Sequence, residues 1–330
     1  MAETIGATDS GCTLSMPAAG VLRWQISDRT CELRSPSAAI LEIGRLVLTH
    51  GRGATAASPP AGERVWQVDN HPSHADTWQV RGPAADHTRV FATAADAIRA
   101  VEFATMQHLL ATDPATISLH AALLVRGRAG LLIVGPSESG KSTLATALWR
   151  QGLAFCGDDV ALVAPDSAFL TAYPRRVFLR HGSRAQFGEE LWPSLAATPS
   201  FMATSQGCLF HPHELPGSSL PAADLAPARI VFLARRGLSL GPAELRPIPP
   251  AQALLALAPY SNIVRNEGMG PALERLQPLL VHTPAHDLGR GPLPAMLDAV
   301  ERLLPTDPRR PMNSAPIPKS ERLALMLTGD

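Results

Sequence analysis

The stretch Gly135-Pro136-Ser137-Glu138-Ser139-Gly140-Lys141-Ser142, followed by Thr143, fits the pattern G-x-x-x-x-G-K-[ST]. Residues of these types at this spacing hold phosphate. Backbone N–H groups of such a loop point at phosphate oxygens, and the helix that follows adds the partial positive charge of its N-terminus. Lys141 is expected to reach the β- and γ-phosphates of a nucleotide, and the Ser142 hydroxyl to be a Mg²⁺ ligand. The lysine is informative in itself. Of 29 basic residues only Lys141 and Lys319 are lysines, and a compact ammonium fits a tight loop where a broad guanidinium does not. The bland alternative is a Gly/Ser turn between a strand and a helix.

A phosphate loop predicts a nucleotide, not a reaction. Phosphoryl transfer also needs one group to hold a metal and another to take the acceptor's proton. Asp158 and Asp159, at a polar corner between two apolar runs, are the candidates. Adjacent carboxylates on an extended backbone point to opposite sides, so one can face the metal and the other an incoming hydroxyl. The alternative is a turn in which Asp158 caps backbone N–H groups. His120 is expected on the strand before the loop strand, where a lone histidine is ordinarily a hydrogen-bonded core residue. Arg175 and Arg176 suit a clamp on phosphate or an acidic acceptor, or else are solvated strand-end charges. His211, His213 and Glu214 have metal-ligand types but lack the fourth ligand of a structural zinc site, and read as a loop.

These groups need a scaffold. Residues 130–134 read as a buried strand feeding the loop, and 142–151 as a helix stopped by Gly152. Around them, strands are expected at 117–125, 153–156, 160–164, 177–180, 229–234 and 281–288, and helices at 251–258, 271–280 and 293–304. Residues 183–227 are irregular and rich in proline. Upstream, strands are expected at 21–26, 40–48, 65–68, 78–81 and 89–92, separated by Gly/Pro/Ser/Asp clusters. Thr93 and Asp96 form a candidate capping box for a helix reaching Ala111. The predicted organisation is a disordered tail over 1–20 and a small, mostly β module over 21–115 that ends in this helix. An α/β domain with the phosphate loop follows over 116–304, then a proline-rich linker and short helix over 305–330.

With 330 residues, 45% of them hydrophobic, the chain can build one large or two smaller domains. Its 29 basic residues balance 29 acidic ones, so a broad nucleic-acid footprint is not expected. Cys12, Cys31, Cys156 and Cys208 are widely spaced, which fits a reduced, intracellular protein better than a disulfide framework or a zinc site. Neither a signal peptide nor a membrane-length apolar run is visible, so the expectation is a cytoplasmic protein with no membrane partner.

Leu119-His120, the 135–143 loop and Gly157-Asp158-Asp159-Val160 occur in the order and similar spacing seen in HPr kinase/phosphorylase. The chain more closely resembles the HPr-kinase-related proteins of peptide-modification clusters, including lasso-peptide serine kinases. Pro174-Arg175 belongs to the same resemblance, which is carried mainly by residues 117–180. The resemblance implies a P-loop core of the phosphoenolpyruvate-carboxykinase type with a mixed sheet. It implies that Asp158 is the general base on a serine hydroxyl, with His120 beside it, and that Asp159 and Ser142 serve the Mg²⁺ site. Lys141 would then be catalytic, and residues 135–143 with Arg175 would bind ATP. Two features depart from the family. Glu138 stands where a small glycine is common, and the glycine-rich, Glu-containing segment after the Asp pair is absent. The second departure leaves the phosphorylase half-reaction, and HPr as substrate, without support. The leading expectation is an ATP- and Mg²⁺-dependent kinase acting on a hydroxyl of a peptide, protein or small metabolite, serine foremost. Its rivals are a P-loop NTPase and a non-catalytic nucleotide-binding scaffold. A homo-oligomer stays open by analogy with the family.

Overall fold

The structure is a computed structural model. It describes residues 4–5, 14–15, 20–26, 29–48, 65–71, 73–82, 88–112, 117–164, 168–173, 176–187, 191–214, 225–233, 235, 240–281 and 283–304. The chain divides into two compact units: residues 1–112 with 196–210, and residues 113–195 with 211–330. The linker and short helix expected over 305–330 lie outside the described residues, as does most of the 1–20 tail, where Thr4–Ile5 and Leu14–Ser15 pair antiparallel.

In the first unit a five-stranded sheet runs Val21–Ile26, Arg29–Arg34, Val65–His71, His74–Arg81, Thr88–Phe91. One neighbouring pair, Arg29–Arg34 with Val65–His71, is parallel, so the sheet is mixed. Residues 40–48, expected as a strand, instead lie in the helix Ala38–Leu48. Among its described side chains Ile40, Leu41, Gly44 and Leu48 are the buried positions, a helical spacing, and the Ser37 hydroxyl accepts the Ile40 N–H at 3.4 Å as a cap. Gly44 is there for contact: a Cβ at that position would lie 2.7 Å from the Leu33 side chain. Half of the expected capping box is seen, the Thr93 hydroxyl on the Asp96 N–H. Asp96 N–H donates to Thr93 Oγ1 at 3.0 Å, Thr93 Oγ1 donates to Asp96 at 2.7 Å, and the helix runs Ala94–Thr112. Asp96 additionally accepts the Ser205 N–H at 3.2 Å, from the antiparallel hairpin Met202–Thr204/Gly207–Phe210.

The second unit is mixed α/β. Its six-stranded sheet has the order Ala154–Gly157, Ala121–Arg126, Ala129–Val134, Ala226–Leu233, Ala285–Leu288, Leu245–Ile248. The three strands from Ala129–Val134 to Ala285–Leu288 are parallel, and the outer pairings are antiparallel. Leu123, Leu132, Val134, Ile230, Phe232 and Ala285 share one core with helices Pro250–Leu257, Asn262–Asn266 and Met269–Val281. Leu131 and Ile133 alternate to the other face, where helix Lys141–Arg150 packs against helix Leu293–Glu301. Arg126 and Glu301 pair at 2.7 Å and fasten that last helix to the sheet. A smaller antiparallel sheet, Leu170–Thr171, Ala161–Val163, Ile117–Leu119, shares the first core. Cys31, Cys156 and Cys208 are buried, and burial pushes the Cys208 thiol up to about 12. Among the described residues no helix is long and apolar enough to cross a membrane.

Thr93→Ala removes both bonds between the Thr93 hydroxyl and Asp96. The expected cost is about 1 kcal/mol, read as a lower urea midpoint at unchanged m-value; an unshifted midpoint would show that the helix start is held by packing alone.

Candidate functional site

The parallel strand Ala129–Val134 ends at Gly135, and the chain turns through Ser139 N–H bonded to Pro136 O at 3.3 Å before entering helix Lys141–Arg150. Gly135 is fixed by crowding, since a Cβ there would sit 2.8 Å from both Leu233 O and Ser139 Oγ. Gly140 takes the left-handed φ of 99° that lets the loop enter the helix, and Gly152 leaves it at the same φ. Among the described residues no side chain caps the helix N-terminus and none bonds to the buried Ser139 hydroxyl. An uncapped helix start, an orphaned hydroxyl and an adjacent ammonium are the donor set an anion such as phosphate requires.

Lys141 is buried, and its Nζ donates to Gly135 O at 2.9 Å and Pro136 O at 3.0 Å, and lies 3.1 Å from His120 Nε2. Burial holds its pKa below the usual lysine range, against the upward pull of Asp159 and Asp158. An ammonium only donates, so with Lys141 charged His120 Nε2 accepts and the ring proton sits on Nδ1. Nδ1 faces Asp159 Oδ1 at 3.0 Å.

His120 does not sit within a continuous strand. The expected strand 117–125 breaks at His120 into Ile117–Leu119, in the small sheet, and Ala121–Arg126, in the large one. Segment 260–262 holds the break: His120 N–H donates to Tyr260 O at 2.7 Å and Ser118 N–H to Asn262 Oδ1 at 2.9 Å. The Tyr260 ring stacks on the imidazole at 6.5 Å between centroids. Nothing local in the sequence marks Tyr260 for this place.

The carboxylate pair lies just past Ala154–Gly157, where the chain bends. Its two members do face different partners, but the pairing differs from that implied by the family resemblance. Asp158 is buried and its Oδ2 accepts from Ser142 Oγ at 3.1 Å and from Phe178 N–H at 3.1 Å. Asp159, with 30% of its side chain exposed, is the one against His120. A tight bend turns Asp158 inward; a Cβ at Gly157 would lie 2.8 Å from Val160 O. Thr143 Oγ1 lies 2.8 Å from Ser183 Oγ, which ties the helix start to the turn after strand Val177–Arg180.

Glu138 has a left-handed φ of 65°, and its carboxylate is 3.1 Å from Arg180 Nη2. Ser137 and Pro136 complete the loop surface, exposed and half-buried. Arg175 and the side chain of His213 lie outside the described residues. Arg176 is 1% exposed, which rules out a solvated strand-end charge. His211 is buried, and among the described residues no three His, Cys, Asp or Glu side chains form a metal-binding group. That does not count against Mg²⁺ beside a nucleotide, which is ordinarily held by one or two protein oxygens together with phosphates and water.

No family model matches the chain, and no curated protein matches it. Among solved structures it is similar to the HPr(Ser) kinase/phosphatase from Coxiella burnetii, with 18% identity and a TM-score of 0.30 over 56% of this chain and 96% of that one.

Gly135→Ala and Gly140→Ala separate crowding from backbone strain. The first is expected to cost about 2 kcal/mol by overpacking and the second about 1 kcal/mol by strain alone, both read from urea unfolding. The reverse order would mean that Leu233 and Ser139 yield easily to a methyl group.

Proposed function

We propose that the chain is an ATP- and Mg²⁺-dependent kinase that transfers the γ-phosphoryl group to a hydroxyl of a peptide, protein or small metabolite. Serine is the first candidate for the acceptor. The observation that carries this reading is the meeting of Lys141, Ser142–Asp158 and His120–Asp159 at the end of one parallel strand.

In this reading the 135–143 loop is a P-loop. Lys141 leaves the Gly135 and Pro136 carbonyls for the β- and γ-phosphate oxygens, while loop N–H groups and the Ser139 hydroxyl take the remaining lone pairs. Ser142 and Asp158 hold the metal; their mutual contact and the burial of Asp158 support that side of the assignment. When bound, Mg²⁺ would supply positive charge against the negative charge that develops on the transferred phosphoryl group. Asp159 takes the acceptor's proton, with His120 orienting it through Nδ1–H; their partial exposure, 30% and 40%, leaves them accessible to a second substrate. The acceptor oxygen forms its bond to γ-phosphorus as the bond to the β–γ bridging oxygen breaks, and ADP leaves with that oxygen. These roles exchange those the family resemblance assigns to Asp158 and Asp159.

The two carboxylates are told apart by calorimetry of ADP with and without Mg²⁺ and by transfer from labelled ATP to serine peptides and hydroxylated metabolites. Asp158→Asn should erase most of the Mg²⁺-dependent gain in ADP affinity. Asp159→Asn should keep that gain and lower transfer by about a hundredfold or more. Undiminished ATP binding by Lys141→Ala would sink the kinase reading itself; full transfer by Asp159→Asn would return the base to Asp158.

A further inference from the structure

Glu138 is a strained residue that a phosphate loop does not need. It adopts φ 65°, where glycine is favoured, and its carboxylate reaches Arg180 Nη2 at 3.1 Å. Both side chains are well exposed, 66% for Glu138 and 45% for Arg180. An exposed ion pair contributes no more to stability than a left-handed side chain takes away. Stability therefore does not explain the pair, and strain kept at a binding loop points to use.

The place of Arg180 supplies the use. It ends strand Val177–Arg180, two residues beyond Phe178, whose N–H is bonded to Asp158 Oδ2. The Arg180 guanidinium carbon lies 5.9 Å from the centre of the Phe178 ring. A continuous circuit results: the loop through Glu138, Arg180, the strand, Asp158, and Ser142 directly after the loop. In the kinase reading, where Ser142 and Asp158 hold the metal, this circuit joins Arg180 to the metal side of the loop. Transfer leaves charge on three equatorial oxygens of the moving group, and Lys141 is the single lysine among the described residues.

We propose that Arg180 is a further phosphate ligand, directed at the γ-phosphoryl group, and that Glu138 is the positioning residue that holds it at the mouth of the loop. The proposal rests on the kinase reading. A guanidinium presents several N–H donors in a fixed plane, so one edge can stay on Glu138 while another meets phosphate oxygens. Glu138 then stands in place of a glycine because it recruits a second cation to the γ-phosphate.

The test is calorimetry of the full chain with Mg²⁺ and either ADP or the non-hydrolysable triphosphate AMP-PNP. Arg180→Ala should bind ADP within about twofold of the parent and AMP-PNP about tenfold or more weakly, the loss of one charge-assisted contact. Glu138→Gln, which keeps the backbone but not the charge, should lose AMP-PNP selectively by a smaller factor. The double variant should be no weaker than Arg180→Ala alone. Equal losses for both nucleotides, additive losses, or unchanged AMP-PNP binding would overturn the proposal. If Lys141→Ala loses both nucleotides while Arg180→Ala loses neither, the kinase reading stands without this addition. A parent that binds neither nucleotide removes both.

Discussion

One ammonium group organises the candidate site of the second unit. Lys141 Nζ lies within hydrogen-bond distance of three acceptors, the carbonyls of Gly135 and Pro136 and the imidazole of His120. Those acceptors come from the end of the loop strand and from the junction of two sheets. The loop's bend, the tautomer of His120 and the placement of Asp159 all follow from where this charge sits. Burial works against it, and two carboxylates work for it. In the proposed reaction the same ammonium exchanges carbonyl oxygens for phosphate oxygens, so in the empty loop it is a buried charge with partners rather than an unpaired one.

The two aspartates differ because the backbone gives them different surroundings. Asp158 is turned into the protein, where a hydroxyl and a backbone N–H donate to it. Asp159 remains accessible beside an imidazole. Division of labour between neighbouring carboxylates thus needs no difference in chemistry, only a bend. The same economy governs Glu32 in the first unit. Burial raises its pKa, yet hydrogen bonds from Arg34 and Arg23, at 2.6 and 2.8 Å, bring it below the usual carboxylate range.

Local signals in the chain were informative where chemistry demands particular residue types close together. The glycines and lysine of 135–141, the Thr93–Asp96 box and the strand leading into the loop are visible because each element's requirement is met within a few residues. Pairing across the chain was not visible. Whether Ser142 meets Asp158 or Asp159 depends on a bend crowded by Val160 O, and Tyr260 reaches His120 from 140 positions away in sequence order. Helix Ala38–Leu48 was hidden by its β-branched and aliphatic run, although Ser37 and the 40, 41, 44, 48 spacing carried its signature. Strand Leu245–Ile248 was hidden by Pro247, a residue tolerated there because the strand lies at the sheet edge.

The break at His120 has a mechanical meaning. The residue belongs to neither sheet, so its coordinates are the meeting point of two registers: Ile117–Leu119 against Ala161–Val163, and Ala121–Arg126 against Ala129–Val134. A side chain at such a joint can be re-aimed from a distance. Repacking Val163 or Leu170 in the small sheet would shift the imidazole relative to Lys141 while leaving every group around the loop chemically intact. The small sheet is thereby an adjustment screw for the larger one, a route by which this scaffold can re-aim His120 without surrendering the loop.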